Sequence, residues 1–507
     1  MVPMSFPQTV FVLAALVLNC ALAPQGQAQM VLTNAGDGGS VPGTSRVEIT
    51  GTSQAPYLLL FSGIERSWKP LPGLDLEIDL EFLPLCLSSS LFLNTLDAAG
   101  RATTDIPVPN LVDLYGKRMS LQSFELSPLG NASNMIRITL QEPDTFADTL
   151  AIAMAPMVTG KGFVQKDGTV LLLGGSGPVV QQYDPNLEEF ELHSVVPSGN
   201  ILATQTLLSD GTILVAGGIG ITGQPVQSAF LFDPATKTFT TLPGMATARA
   251  GHAAARLKDG RVLLVGGASN LDVTNLVAFL AGIQNTSEFY DPSTKTFQSG
   301  PALLEQKVFH SATTLGNGEV LVAGGLSVVP VVNVPIVSPT AQAYTPSLGI
   351  FGFPRLMAPR MLHGAVALGN GRALLAGGLT IDFTKFLQTQ NILDLKINSV
   401  ADAVTYNGGL FGGFSASMPL SKGRLLPAVA PLGNSGALIA GGFNLDISAA
   451  NLVFEPLAES DILSGSTVTP AGKMNNVRAG AVAVSLPDGT VLVVGGGSLQ
   501  AEIYQPR

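Results

Sequence analysis

Cysteine is almost missing from this chain: Cys20 and Cys86 are the only two among 507 residues. A disulfide framework is thereby excluded, so a fold of this size has to stand on its apolar core. Charge is scarce as well, at 12% of residues, and acidic residues prevail to leave a formal charge of −10. No Lys/Arg-rich run breaks that balance, which excludes broad attraction to nucleic acid. After the N-terminal leader no run reaches the roughly 18 apolar residues of a membrane helix, so no integral span is expected in the mature chain. What the chain does hold is 46% hydrophobic residues with 57 glycines and 34 prolines. Disordered chains are poor in apolar residues. This composition instead predicts an all-β protein of many short buried strands joined by tight turns.

Residues 1–28 read as a secretory signal. Val10 to Ala23 is an apolar run of signal length, and Gly26-Gln27-Ala28 supplies small residues for cleavage after Ala28. Pro24 disfavours cleavage after Ala23, and Asn19 is too large for the residue preceding a lipidated Cys20. The expected location is secreted: extracellular, periplasmic or at a cell surface. Cys86, in "FLPLCLSSSLFL", is then expected to be a small buried hydrophobe.

One phrase recurs from residue 160 onward. It reads "DGTVLLLGG" from Asp167, "DGTILVAGG" from Asp210, "DGRVLLVGG" from Asp259 and "NGEVLVAGG" from Asn317. It continues as "NGRALLAGG" from Asn370, "NSGALIAGG" from Asn434 and "DGTVLVVGG" from Asp488. Asp-Gly or Asn-Gly suits a two-residue hairpin turn, so an antiparallel strand should precede each phrase. The four apolar residues that follow suit a strand buried on both faces, and Gly-Gly ends it where backbones crowd. The sixth phrase has Ser435 where the turn glycine belongs, which predicts a distorted turn.

A second phrase closes each unit, an aromatic followed after one residue by Pro. Tyr183, Phe232, Tyr290, Tyr344, Phe454 and Tyr504 begin it, with Tyr406-Asn407-Gly408 as the weakest copy. "ATKTF" and "STKTF" then lead into a fourth strand carrying Phe239 or Phe297. Four strands in each of seven units predict a propeller. The seventh unit reaches residue 507 after its third strand, so Asp148 to Met157 is expected to supply its outer strand.

The double glycine, the aromatic-Asp-Pro and the Arg249-Ala250-Gly251-His252 ahead of an inner strand resemble the kelch family. The resemblance implies a seven-bladed kelch-like β-propeller over 148–507, with Phe where many kelch repeats carry Trp. Residues 29–147 lack the repeat and read as strands broken by Gly, Pro, Asn and Ser, for which an immunoglobulin-like β-sandwich is expected. Seven basic against thirteen acidic residues give this small part most of the acidity. Its "TLDAAGRA" resembles a module preceding repeats in secreted bacterial proteins, which implies no activity.

A β-sandwich ahead of a kelch propeller is also similar to the galactose oxidase architecture. That family's copper site needs two tyrosines, two histidines and a cysteine cross-linked to one tyrosine, and this propeller has no cysteine. The oxidase chemistry is therefore rejected, and no catalytic residue, metal or cofactor is assigned. His252, His310 and His363 share one repeat position and could converge as metal ligands, but a hydrogen bond within each blade is the preferred reading. His193 stands near an outer strand. No Gly-x-Ser-x-Gly elbow, phosphate-cradling loop or His-Glu-x-x-His motif occurs.

Arg249, Lys307, Arg360, Arg424 and Arg478 each stand three residues before an inner strand. Propeller geometry puts them around one mouth of the channel, where they would bind a carboxylate or sulfate, or brace neighbouring blades. The loops after Gly-Gly lie on that same face. They are long and apolar in blades three to five: "NLVAFLAGI" from Asn275, "VVPVVNVPIV" from Val328 and "FTKFLQTQNILDL" from Phe383. Such loops either recognise a partner or pack together as a lid. The expected function is a secreted, non-enzymatic, monomeric scaffold binding a glycan or protein through the blade 3–5 loops. The alternative is a carbohydrate-active or kelch-oxidase-type enzyme using the channel mouth.

Overall fold

The computed structural model describes residues 30–506. The exceptions are 37–39, 41–42, 64, 72–73, 79–81, 109–113, 127–128, 175–178, 198–200, 273–274, 330–333, 390, 392–393, 410–411 and 448–451. The expected signal segment and Cys20 lie outside the described residues.

The fold is a seven-bladed kelch-type propeller preceded by a small β-sandwich. Each blade is an antiparallel sheet whose second strand is the apolar run of the repeat. In blade 3, Ala253–Arg256, Val262–Val265, Ser287–Asp291 and Thr296–Ser299 pair in that order. Val262 to Val265 are wholly buried, because a central strand is covered by the blades on either side.

The closing aromatic and the outer-strand phenylalanine are direct cross-strand partners. Tyr183 faces Phe190, Phe232 faces Phe239, Tyr290 faces Phe297, Tyr344 faces Phe351 and Tyr406 faces Phe414. In blade 7 the partner of Tyr504 is Phe146, with ring centroids 4.9 Å apart. Thr145–Ile152 is therefore the outer strand of the last blade, hydrogen-bonded to Ser498–Gln505. It begins three residues before the expected segment, so the division expected at residue 148 falls inside a propeller strand. "TF" at Thr145-Phe146 is the same phrase as in Thr238-Phe239 and Thr296-Phe297.

Blade 6 corrects the repeat assignment. Its third strand is Ser460–Ser464, and Leu463 opposite Ala437 takes the aromatic position, facing Val468. Phe454 belongs instead to a hairpin in the loop after Gly-Gly, Phe443–Ile447 with Leu452–Pro456. The turn around Ser435 is distorted as expected: Leu432 pairs directly with Gly436, and Gly433 takes the positive φ of +54°.

The sandwich sets Val31–Gly36, Gly43–Thr50 and Arg101–Val108 against a five-stranded sheet built on Arg118–Leu126. Leu32, Ile49, Leu60, Phe124 and Ile138 fill the space between them. Cys86 is buried on a short helix, Leu83–Ser88, and burial pushes its thiol up to about 11. This unit docks on the seam of the ring. Arg118 Nε and Thr139 Oγ1 donate to the buried Glu188 of blade 1 at 3.2 and 2.5 Å, and Gln141 Nε2 donates to Ile503 O of blade 7 at 3.2 Å.

Candidate functional site

The five sequence-selected cations occupy equivalent positions, and all are fully buried. Each arginine ties the end of its own blade's second strand to a carboxylate on the third. Arg249 donates to Gly266 O at 2.8 Å and Glu288 Oε1 at 2.8 Å. Arg424 donates to Gly441 O at 3.1 Å and Asp461 Oδ2 at 2.7 Å. Arg478 reaches Gly495 O at 2.8 Å and Glu502 Oε1 at 2.9 Å, and Arg360 reaches Gly377 O at 3.1 Å and Asp402 Oδ1 at 2.5 Å. Lys307, without a guanidinium fork, gathers Glu305 Oε2 at 2.9 Å and Ser338 Oγ at 2.5 Å. The same acids also hold the chain arriving from the previous blade: Glu288 accepts Ala246 N–H, and Glu502 accepts Asn475 N–H.

The backbone carbonyl of each cation accepts the N–H of the second glycine in the preceding blade. Gly218 donates to Arg249, Gly267 to Lys307, Gly325 to Arg360, Gly378 to Arg424 and Gly442 to Arg478, at 2.7–2.9 Å. That approach explains the first glycine of the pair. At Gly377, φ is +62° and a Cβ would lie 2.2 Å from Arg424 O, a distance no side chain tolerates.

Two residues beyond each cation the backbone enters the left-handed region, at Gly251, Phe309, Leu362, Leu426 and Gly480. Phe309 and the two leucines are strained there. They are held because each donates its N–H to the equivalent residue one blade earlier: Phe309 to Gly251, Leu362 to Phe309, Leu426 to Leu362. The mouth is thus hooped by main-chain hydrogen bonds.

Over this hoop the long loops form a folded cap. The blade 3 loop makes a helix, Leu276–Ala281, started by Asn275 Oδ1 accepting from Ala278 N at 3.1 Å. Blade 4 adds the hairpin Leu326–Val329 with Val334–Val337. Blade 5 adds Leu379–Asp382 with Lys396–Ser399, whose second strand pairs with the blade 6 strand Phe443–Ile447. The long-loop set therefore includes blade 6, which the misplaced Phe454 had concealed. An acid two residues before the closing side chain, as in Glu288–Tyr290 and Glu502–Tyr504, also marks Asp461–Leu463. Phe279, Leu280, Val328, Leu379 and Leu425 form the cap's core, with Phe309, Leu362 and Leu426 against its underside.

The three equivalent histidines do not converge. His252 Nε2 meets Thr204 Oγ1 at 3.0 Å and His363 Nε2 meets Ser311 Oγ at 2.8 Å, each across a blade boundary rather than within its own blade as expected, and the buried His310 has no hydrogen-bond partner at either ring nitrogen. Burial, aided by a neighbouring cation, pushes His310 and His363 down to about 3. Among the described residues no three His, Cys, Asp or Glu side chains stand together to hold a metal. A copper site of the oxidase type does not fit these side chains. Among the described residues no helix is long and apolar enough to cross a membrane.

No protein-family model and no curated protein matches this chain. Solved structures do. A fungal alcohol oxidase of the AA5 family, in complex with copper, is 16% identical, with 71% of this chain and 75% of that one covered at a TM-score of 0.51. The structure of YjhT is 18% identical, with 63% of this chain and 99% of that one covered at a TM-score of 0.49. At such identities the likeness is one of fold, a galactose-oxidase-like kelch scaffold.

Proposed function

We propose that the chain is a secreted, non-enzymatic recognition scaffold whose cap binds a glycan or a protein, and that the five buried cations brace the ring beneath it. One observation carries this reading. Leu452–Pro456 is the edge strand of the four-stranded cap sheet, and it presents Leu452 and Phe454 at 79% and 72% exposure. An edge strand offers main-chain donors and acceptors for an added strand, and exposed apolar side chains beside it supply specificity. An aromatic face serves a sugar ring equally well. The rigid platform lowers the ordering cost that free loops would impose on binding.

The test is capture by the immobilised protein from a glycan array and from a secretome. The double variant Leu452→Ser/Phe454→Ser is expected to lose a captured ligand by about tenfold or more, roughly 1.4 kcal/mol, with Tm unchanged. Retained capture would place recognition elsewhere. The enzyme reading draws on the likeness to the copper oxidase. Metal analysis of purified protein separates the two, since stoichiometric copper would favour the enzyme.

A further inference from the structure

Lys161 is a cation without an acid. It is the second residue of the innermost strand of blade 1, Gly160–Val164. Strand register gives it the position of Thr204 in blade 2 and Ser311 in blade 4, while Ala, Gly or Val fills that position in the other four blades. Thr204 and Ser311 each face the following blade, where they meet His252 and His363. By the same alternation Lys161 faces blade 2, but Ala203 stands where the histidine would. Among the described residues its ammonium has no hydrogen-bond or ion-pair partner.

The residue is nevertheless enclosed. Its side chain is accessible to solvent, and on an innermost strand that solvent reaches it through the central channel. Protein surrounds it closely enough that burial holds the ammonium below the ordinary lysine range, with no carboxylate to offset the cost. The neighbouring strands Val170–Gly174 and Thr204–Leu207 carry no titratable side chain. None of the seven innermost strands holds an Asp or Glu, whereas Arg256 adds a second cation. In a chain of net charge −10 the channel wall is thus positive. There is also an opening. Innermost strands lie side by side around the ring except between blades 1 and 2, where they stand further apart. The hoop is interrupted there too: among the described residues no main-chain hydrogen bond joins Leu202 to Thr159 or to Gly251. The cap comes from blades 3 to 6, across the ring from this opening.

We propose that Lys161 binds a small oxyanion, a carboxylate or a sulfate, in the opening between the innermost strands of blades 1 and 2. An ammonium donates up to three N–H groups to such oxygens, and charge-assisted hydrogen bonds of this kind are the strong ones. The site is separate from the cap edge and does not depend on recognition there. Titration calorimetry on the intact chain, with malonate and with inorganic sulfate, tests it at low salt and at about 0.15 M salt. One saturable site per chain is expected for at least one of the two anions. Lys161→Met should weaken it about tenfold or more. Its Tm without the anion should stay level or rise, because a desolvated charge is removed and apolar side chains already fill this position in blades 6 and 7. The control Lys117→Met, which removes equal charge from an exposed position of the sandwich, should change binding less than about twofold. Tighter malonate identifies a carboxylate ligand and tighter sulfate a sulfated one. Absence of saturable binding for both anions, undiminished binding to Lys161→Met, or equal weakening in both variants would each overturn the proposal. So would a lowered Tm in Lys161→Met, which would assign the lysine a bracing role.

Discussion

At the scale of single residues, burial separates ion pairs that look alike in sequence. Arg424 and Asp461 are 0% and 1% exposed, whereas Arg46 and Asp105, also 2.7 Å apart, are 54% and 48% exposed. Removing one partner of a buried pair leaves an uncompensated charge in a low dielectric, at about 3–5 kcal/mol. Exposed pairs contribute about 0–1 kcal/mol. Arg424→Ala is expected to lower the unfolding free energy by that larger amount and Arg46→Ala by less than about 1 kcal/mol, read from urea midpoints at constant m. Equal effects would refute the bracing role. The position of all five cations was legible, because the repeat fixes register. Their direction was not. Nothing in "RAGH" states that Gly266 O and Glu288 would meet the guanidinium, since the acid lies 39 residues away on another strand.

At the scale of elements, ring closure depends on a strand from before the first repeat. Phe146 opposite Tyr504 makes Thr145–Ile152 the equivalent of every other outer strand. Without it Ser498–Gln505 becomes an exposed edge, a template for pairing with other chains. A chain beginning at Ala153 is expected to elute as oligomers or precipitate, while one beginning at Glu142 retains closure and stays monomeric. Light scattering on a sizing column reads the difference, and a monomeric Ala153 chain would contradict the closure. The seven second strands could be read in advance because local turn chemistry and a buried apolar run coincide in each. Blade 6 could not be read by its aromatic, for Leu463 fills that site while Phe454 mimics the phrase from a loop. There the local pattern was overridden by strand pairing.

At the scale of the whole molecule, the two faces of the ring differ in construction. The tight-turn face is built from the repeat itself. The other is covered by loops of blades 3 to 6, of which the sequence marked those of blades 3 to 5 as long and apolar without stating their form. Their strands pair mainly within each loop hairpin, while the Ile397–Ile447 pairing joins blades 5 and 6. That last contact spans 50 residues and leaves no local trace. The central claim is that these loops are one preformed platform, so that recognition needs no folding of the cap. Hydrogen exchange of the free protein tests it most directly. Amides of Leu326–Val337, Leu379–Ser399 and Phe443–Pro456 that pair between strands should be protected as strongly as those of Val262–Val265. Exchange of these segments at the rate of an unstructured peptide would contradict it.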